Sequence, residues 1–210
     1  MKSIFCVLIS LFVIQNKIMS QNLKKFAGEY SFHKMELAAG FNFKSDGSFE
    51  FYYTYGASDR HATGTYSIVG DSLKLKSDKK AGEDFVINKQ SKKAGMLEIH
   101  ISAPNKILAS SVECHCFSKD KRKDFEADQN GIIKADLKAC DKIYLSHKYF
   151  PDIPSLIKDV DNDNNYFEVT LKQTLQEVSF QGIEFIIKEN SISCMPNYFM
   201  PFDHIEFVKG

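Results

Sequence analysis

Between Phe41 and Tyr55 a large ring occupies almost every second position: Phe41 and Phe43 before Ser45-Asp46-Gly47, then Phe49, Phe51, Tyr53 and Tyr55 after it. A period of two puts all of these rings on one face of paired strands. So much apolar surface must be covered, because an exposed patch of that size aggregates or binds something. The turn fixes the pairing. A three-residue loop with Gly47 left-handed sets Phe43 opposite Phe49 and Phe41 opposite Phe51, whereas a two-residue loop would set Phe43 opposite Glu50. One slip exchanges faces, so the aromatic pattern selects the three-residue loop. Across Gly70-Asp71 a two-residue primed turn sets Ile68 opposite Leu73 and Tyr66 opposite Leu75, with Ser67, Lys74 and Lys76 facing water. Tyr66 joins the ring face. A small meander this rich in rings is expected to fill its own interior, with the Tyr53 and Tyr55 hydroxyls reaching the rim.

The same grammar continues. Short strands are expected from Asp84 to Ile87, at Leu97–Ile101, Val112–Cys116, Ile132-Ile133, Ile143–Leu145 and Phe167–Leu171, and in a last hairpin of Phe185–Ile187 and Ile192–Cys194 around Glu189-Asn190. Asn88 to Gly95 reads as a module boundary, Lys119 to Asp124 as a solvated hairpin tip, and Pro151 to Asn165 as a long loop. No long helical period appears. The fold class is all-β.

Two families enter on particular residues. From Gly40 to Ser77 the text Phe-x-Phe-x-x-Asp-Gly-x-Phe, then Tyr55-Gly56-Ala57-Ser58-Asp59-Arg60, then Gly64-x-Tyr66-x-Ile68-x-Gly70-Asp71-x-Leu73 resembles the small lipocalin-like β-barrel modules of exported bacterial proteins. Asp128-x-x-Gly131, the strand Ile143-x-Leu145-Ser146-His147, and Tyr149 resemble a carboxypeptidase regulatory-like, transthyretin-like β-sandwich, although Lys148 stands where that family has Gly. The resemblances imply a lipocalin-like module at 21–90, a sandwich at 95–173 and a C-terminal hairpin region at 174–210, none of them catalytic.

Residues 1–20 read as a secretory signal: Lys2, the apolar run Ile4–Ile14, then small and polar residues with cleavage expected after Ser20. Without Lys2 and Lys17 the remainder holds 25 basic and 27 acidic residues, a net of −2. Such a balance offers no field for nucleic acid. The expected location is periplasmic or secreted, with no membrane span after cleavage. The expected partner is an envelope protein or a small apolar ligand.

Catalytic grammar is missing: there is no Gly-x-Ser-x-Gly, no His-Glu-x-x-His and no Gly-rich phosphate loop. In Cys114-His115-Cys116, strand geometry sends the two thiols one way and His115 the other, so all three cannot ligate one ion without a bulge. Cys140 and Cys194 leave disulfides, metal or plain burial open. Asp159-x-Asp161-x-Asp163 has calcium-loop spacing, but Asn164 and Thr170 replace its glycine and its bidentate glutamate. No cofactor or metal is expected. Asp59-Arg60-His61, read as the loop after the ring strand, makes the candidate ligand-binding set with Tyr53 and Tyr55. The sequence thus reads as a non-catalytic binding or accessory protein. A carrier with a lipocalin-like cavity and a hydrolase with an unrecognised site stand as alternatives.

Overall fold

The computed structural model describes residues 23–210 apart from 57, 120, 138 and 139; the expected signal therefore lies outside the described residues. The chain forms two compact units, one made of the residues up to Asp78 together with Gly182–Gly210, the other of Lys79–Gln181.

The first unit is a closed antiparallel barrel of eight strands: β1 (Gly28–Lys34), β2 (Leu37–Phe43), β3 (Ser48–Tyr55), β4 (Ser58–Val69), β5 (Ser72–Ser77), β14 (Phe185–Ile187), β15 (Ser191–Cys194) and β16 (Ile205–Lys209). Each strand pairs with the next, and β16 returns to β1 through Tyr30↔Lys209. The expected registers are present: Phe43↔Phe49 and Phe41↔Phe51, then Ile68↔Leu73 and Tyr66↔Leu75. Gly47 has φ +89°, and the Asp46 carboxylate braces the loop by accepting the Ser48 N–H at 2.8 Å and its hydroxyl at 2.6 Å.

Rings fill the barrel. Phe41 has Phe43, Phe49, Phe51, Phe185 and Phe207 around it at centroid distances of 4.6–6.1 Å. Room for them comes from β4, which sets small residues opposite large ones, Ala62 against Phe51 and Gly64 against Phe49. Gly64 also lies where a Cβ would come within 2.1 Å of the Lys76 carbonyl. Phe26, from a helical turn at 23–26, closes one mouth against Tyr30, Phe43 and Tyr66. Phe199 and Met200, both buried, close the other, where Phe199 meets Phe51 and Tyr53.

The second unit is inserted in the chain between β5 and β14. Its sheets run β10 (Ile132–Ala135), β7 (Leu97–Ser102), β13 (Tyr166–Leu171), β6 (Phe85–Ser91), and β12 (Ser155–Lys158), β11 (Lys142–His147), β8 (Val112–Ser118), β9 (Lys121–Glu126). All pairings are antiparallel except β13 with β7. One apolar core takes residues from both sheets, among them Ile99, Ile133, Phe167 and Val169 from the first and Cys114, Ile143, Leu145 and Ile157 from the second. A short helix, α1 (Lys106–Ser110), is capped by Asn105, whose side chain accepts the Leu108 N–H at 2.9 Å.

Four local expectations are corrected. Asn88 to Gly95 is no boundary at its start, because β6 runs through Ser91 and pairs with β13. Lys121–Asp124 lies in β9 and is not a tip. The segment 151–165 holds β12, whose Leu156 pairs with Tyr144. Asp59-Arg60-His61 lies inside β4, paired with β3.

The two ends of the inserted unit meet at a buried ion cluster. Lys79 Nζ lies 2.8 Å from Asp84 Oδ1 and 3.2 Å from Asp152 Oδ2, and donates to the Glu177 carbonyl at 2.9 Å. Ser179 donates to Asp152 through its N–H at 3.0 Å and its hydroxyl at 2.5 Å. Charges removed from water this completely persist only when paired and hydrogen-bonded.

Candidate functional site

The period of two divides the expected ligand set. Tyr53 and Arg60 are register partners whose side chains are buried in the barrel, the Tyr53 hydroxyl donating to the Phe199 carbonyl at 3.3 Å and the Arg60 guanidinium lying 5.5 Å from the Phe199 ring centre. Asp59 and His61 point outward, and Tyr55 is 45% exposed beside Phe202. These five residues therefore do not converge.

Convergence occurs on the outer face of the β12–β11–β8–β9 sheet. Register sets His115 opposite Asp124 and Tyr144, Phe117 opposite Arg122 and Lys142, and Glu113 opposite Ser146. Alternation sends Cys114 and Cys116 into the core on the other face, as their spacing requires.

His115 is nearly buried and held at both nitrogens. Nδ1 is 2.8 Å from Asp124 Oδ1 and 3.0 Å from Arg122 Nη2, and Nε2 is 2.8 Å from Ser146 Oγ. With the proton on Nδ1, the ring donates to Asp124 and accepts from Ser146. With the proton on Nε2, it accepts from Arg122 and donates to Ser146. Both nitrogens are engaged in either tautomer. Arg122 Nε also donates to Asp124 Oδ1 at 2.7 Å. Hydrogen bonding from Arg122, then from His115, holds the Asp124 carboxyl below the usual carboxylate range.

Next to His115 opens a recess of about 560 Å³. Phe117 and Tyr144 meet edge to face at 5.6 Å and form part of its lining, with Ile153, Pro154 and Val160 adding apolar surface. Arg122, Lys119 and Lys142 contribute cations and Asp141 a carboxylate. The Arg122 guanidinium lies 5.9 Å from the Phe117 ring centre. Asp159, 3.2 Å from Lys142 Nζ, raises the lysine's pKa and keeps it charged.

Asp124–His115–Ser146 has the spacings of a nucleophile, base and orienting acid, and sequence motifs did not announce it. The register places it badly for catalysis, however. The recess lies on the Phe117–Lys142 side of His115, while Ser146 lies on the Glu113 side and does not line it. A ligand in the recess meets the histidine edge and not the hydroxyl.

The four cysteines among the described residues are free thiols. Cys114 and Cys116 lie 3.6 Å apart, sulfur to sulfur, in the core, and Cys140 hydrogen-bonds Cys116 and the Lys142 carbonyl, the latter at 2.9 Å. The hydrogen bond with Cys114, together with burial, pushes Cys116 up to about 12, and burial does the same to Cys194. Thiols held protonated in this way are poor nucleophiles. In the acidic loop, Asp159 turns to Lys142 and Asp163 to Lys92. Among the described residues no group of three or more His, Cys, Asp or Glu side chains is arranged to hold a metal, and no helix is long and apolar enough to cross a membrane. No family model, curated protein or solved structure matches the chain.

Proposed function

We propose that this chain is a non-catalytic binding or accessory protein of the cell envelope, periplasmic or secreted, whose working surface is the recess beside His115. In this reading the barrel is a lipocalin-like scaffold and the inserted unit a transthyretin-like sandwich that carries the site. The observation behind it is the pairing of an apolar recess with a histidine whose two nitrogens are already engaged. That arrangement positions groups to hold a ligand, while Ser146, the hydroxyl within reach of His115, lies on the Glu113 side and does not line the recess. The rings packed through the barrel weigh against a carrier that keeps its ligand inside.

Hydrolysis of nitrophenyl acetate tests the non-catalytic half. Wild type and Ser146→Ala are expected to match the buffer rate. A wild-type rate above buffer that disappears in Ser146→Ala would replace this reading with a serine hydrolase. The export half is tested by N-terminal sequencing of the native protein, expected to begin at Gln21 or close to it. Intact Met1 on soluble cytoplasmic protein would overturn export.

A further inference from the structure

We infer that the recess takes a small organic anion, its flat apolar body lying on Phe117 and Tyr144 and its acidic group meeting Arg122. This rests on the binding reading above and assigns that site a ligand class.

Size comes first. About 560 Å³ lies within the range of small-molecule pockets, and so local a recess is far from the roughly 800 Å² per partner of a stable protein interface. Shape comes next. The edge-to-face pair of Phe117 and Tyr144 offers ring surface, and Ile153, Pro154 and Val160 continue it. A flat body gains most on such a wall, since ring contacts add to plain area burial.

Charge decides the polar end. Three cations, Lys119, Arg122 and Lys142, line the recess against the single carboxylate of Asp141. One oxygen of Asp141 already accepts the Lys119 backbone N–H at 2.7 Å. Asp124 and Asp159 stand outside the lining and each pairs with one of the cations, Asp124 with Arg122 and Asp159 with Lys142. Arg122 is the best placed of the three. Asp124 holds its Nε, His115 lies against Nη2, and the Phe117 ring flanks its plane. A guanidinium carries five N–H donors, so this orientation leaves Nη1 available for a carboxylate, sulfonate or phosphate oxygen. A donor fixed before the ligand arrives loses little entropy on binding.

Titration of the full chain with anilinonaphthalene sulfonate, and in parallel with uncharged phenylnaphthylamine, tests this by fluorescence. The sulfonate is expected to bind saturably and more tightly than the neutral dye, and more weakly as salt is raised. Arg122→Gln should weaken it about tenfold, the scale of a hydrogen bond to a charged group, and Tyr144→Ala should weaken it about as much through the lost ring contact. Arg122→Lys, which keeps the charge but not the fork, should fall between. Urea midpoints of the variants separate lost binding from lost folding. If the neutral dye binds as tightly and Arg122→Gln changes nothing while Tyr144→Ala still does, the anion assignment is overturned and the recess remains a binding site. If neither dye binds, or binding ignores Tyr144, both the assignment and the recess as binding site are overturned.

Discussion

Phe41→Ala is the sharpest test of the filled barrel. Phe41 is 2% exposed and touches the rings of strands β2, β3, β14 and β16, so its removal leaves a void bordered on several sides. The lost transfer free energy of a buried phenyl group is about 1.5–3 kcal/mol. A void on the order of 100 Å³ at about 24 cal/mol per Å³ adds about 2 kcal/mol. Collapse cannot relieve much of this, because the surrounding strands are hydrogen-bonded into a closed ring. The expected loss is therefore about 3.5–5 kcal/mol, within the range of such truncations. Urea unfolding followed by near-ultraviolet circular dichroism reports it, since the chain has no Trp and its 18 Phe and 9 Tyr supply the signal. Val69→Thr, at a 62% exposed site, should stay within about 0.5 kcal/mol of wild type. A Phe41→Ala loss below about 1 kcal/mol with an unchanged denaturant slope would refute the packed interior and revive a ligand cavity.

Other outcomes follow from the same packing. Lys79→Met strands Asp84 and Asp152 without their cation and should cost about 3–5 kcal/mol by urea midpoint. Lys92→Met, which breaks only the exposed pair with Asp163, should cost less than about 1 kcal/mol. Gly64→Ala, whose Cβ would overlap the Lys76 carbonyl, should cost about 1–3 kcal/mol and be read as a lowered thermal midpoint. The Tyr66 hydroxyl donates to the Lys44 carbonyl at 2.8 Å, and burial pushes its pKa from 10.0 to about 12. The folded state thus holds that proton more tightly than the unfolded state does. The resulting stability is complete below pH 10 and is lost as pH rises toward 12. Tyr66→Phe should flatten part of this alkaline loss in a pH series of urea midpoints, and an unchanged slope would refute the assignment.

Hairpins were legible because each carries its own instructions. Gly47 and Gly70 set the loops, and the spacing of Phe41, Phe43, Phe49 and Phe51 left one register that keeps every ring inside. Cys114, His115 and Cys116 were separated correctly by the same alternation. The closing pairs were not legible. Tyr30↔Lys209 and Phe185↔Leu73 join strands from distant parts of the chain, and no local turn specifies such a pairing. Reading the segments after Ser77 in order therefore assigned β6 to the first module, read the β14–β15 hairpin without joining it to the barrel and left β16 unread, although Ala62 and Gly64 leave room for rings arriving from elsewhere.

The recess proposed as the site was not read from the sequence for a related reason. Lys121, Arg122, Lys123 and Asp124 look like a solvated tip when only their charge is considered, and Asp59-Arg60-His61 looks like a loop because it follows a Gly. Once β9 pairs with β8, the same charged run alternates: Arg122 and Asp124 turn toward His115, and the intervening Lys123 sits opposite Cys116. What surrounds His115 is set by pairing across the ladder, with Asp124 from the next strand in sequence and Ser146 from the third strand on. His115 has Asp124 on one side and Ser146 on the other only because β8 is central in its sheet. A central strand can hold a side chain from both flanks, and an edge strand cannot. That is why His115 is held at both ring nitrogens on this outer face, and the recess proposed for binding opens beside it.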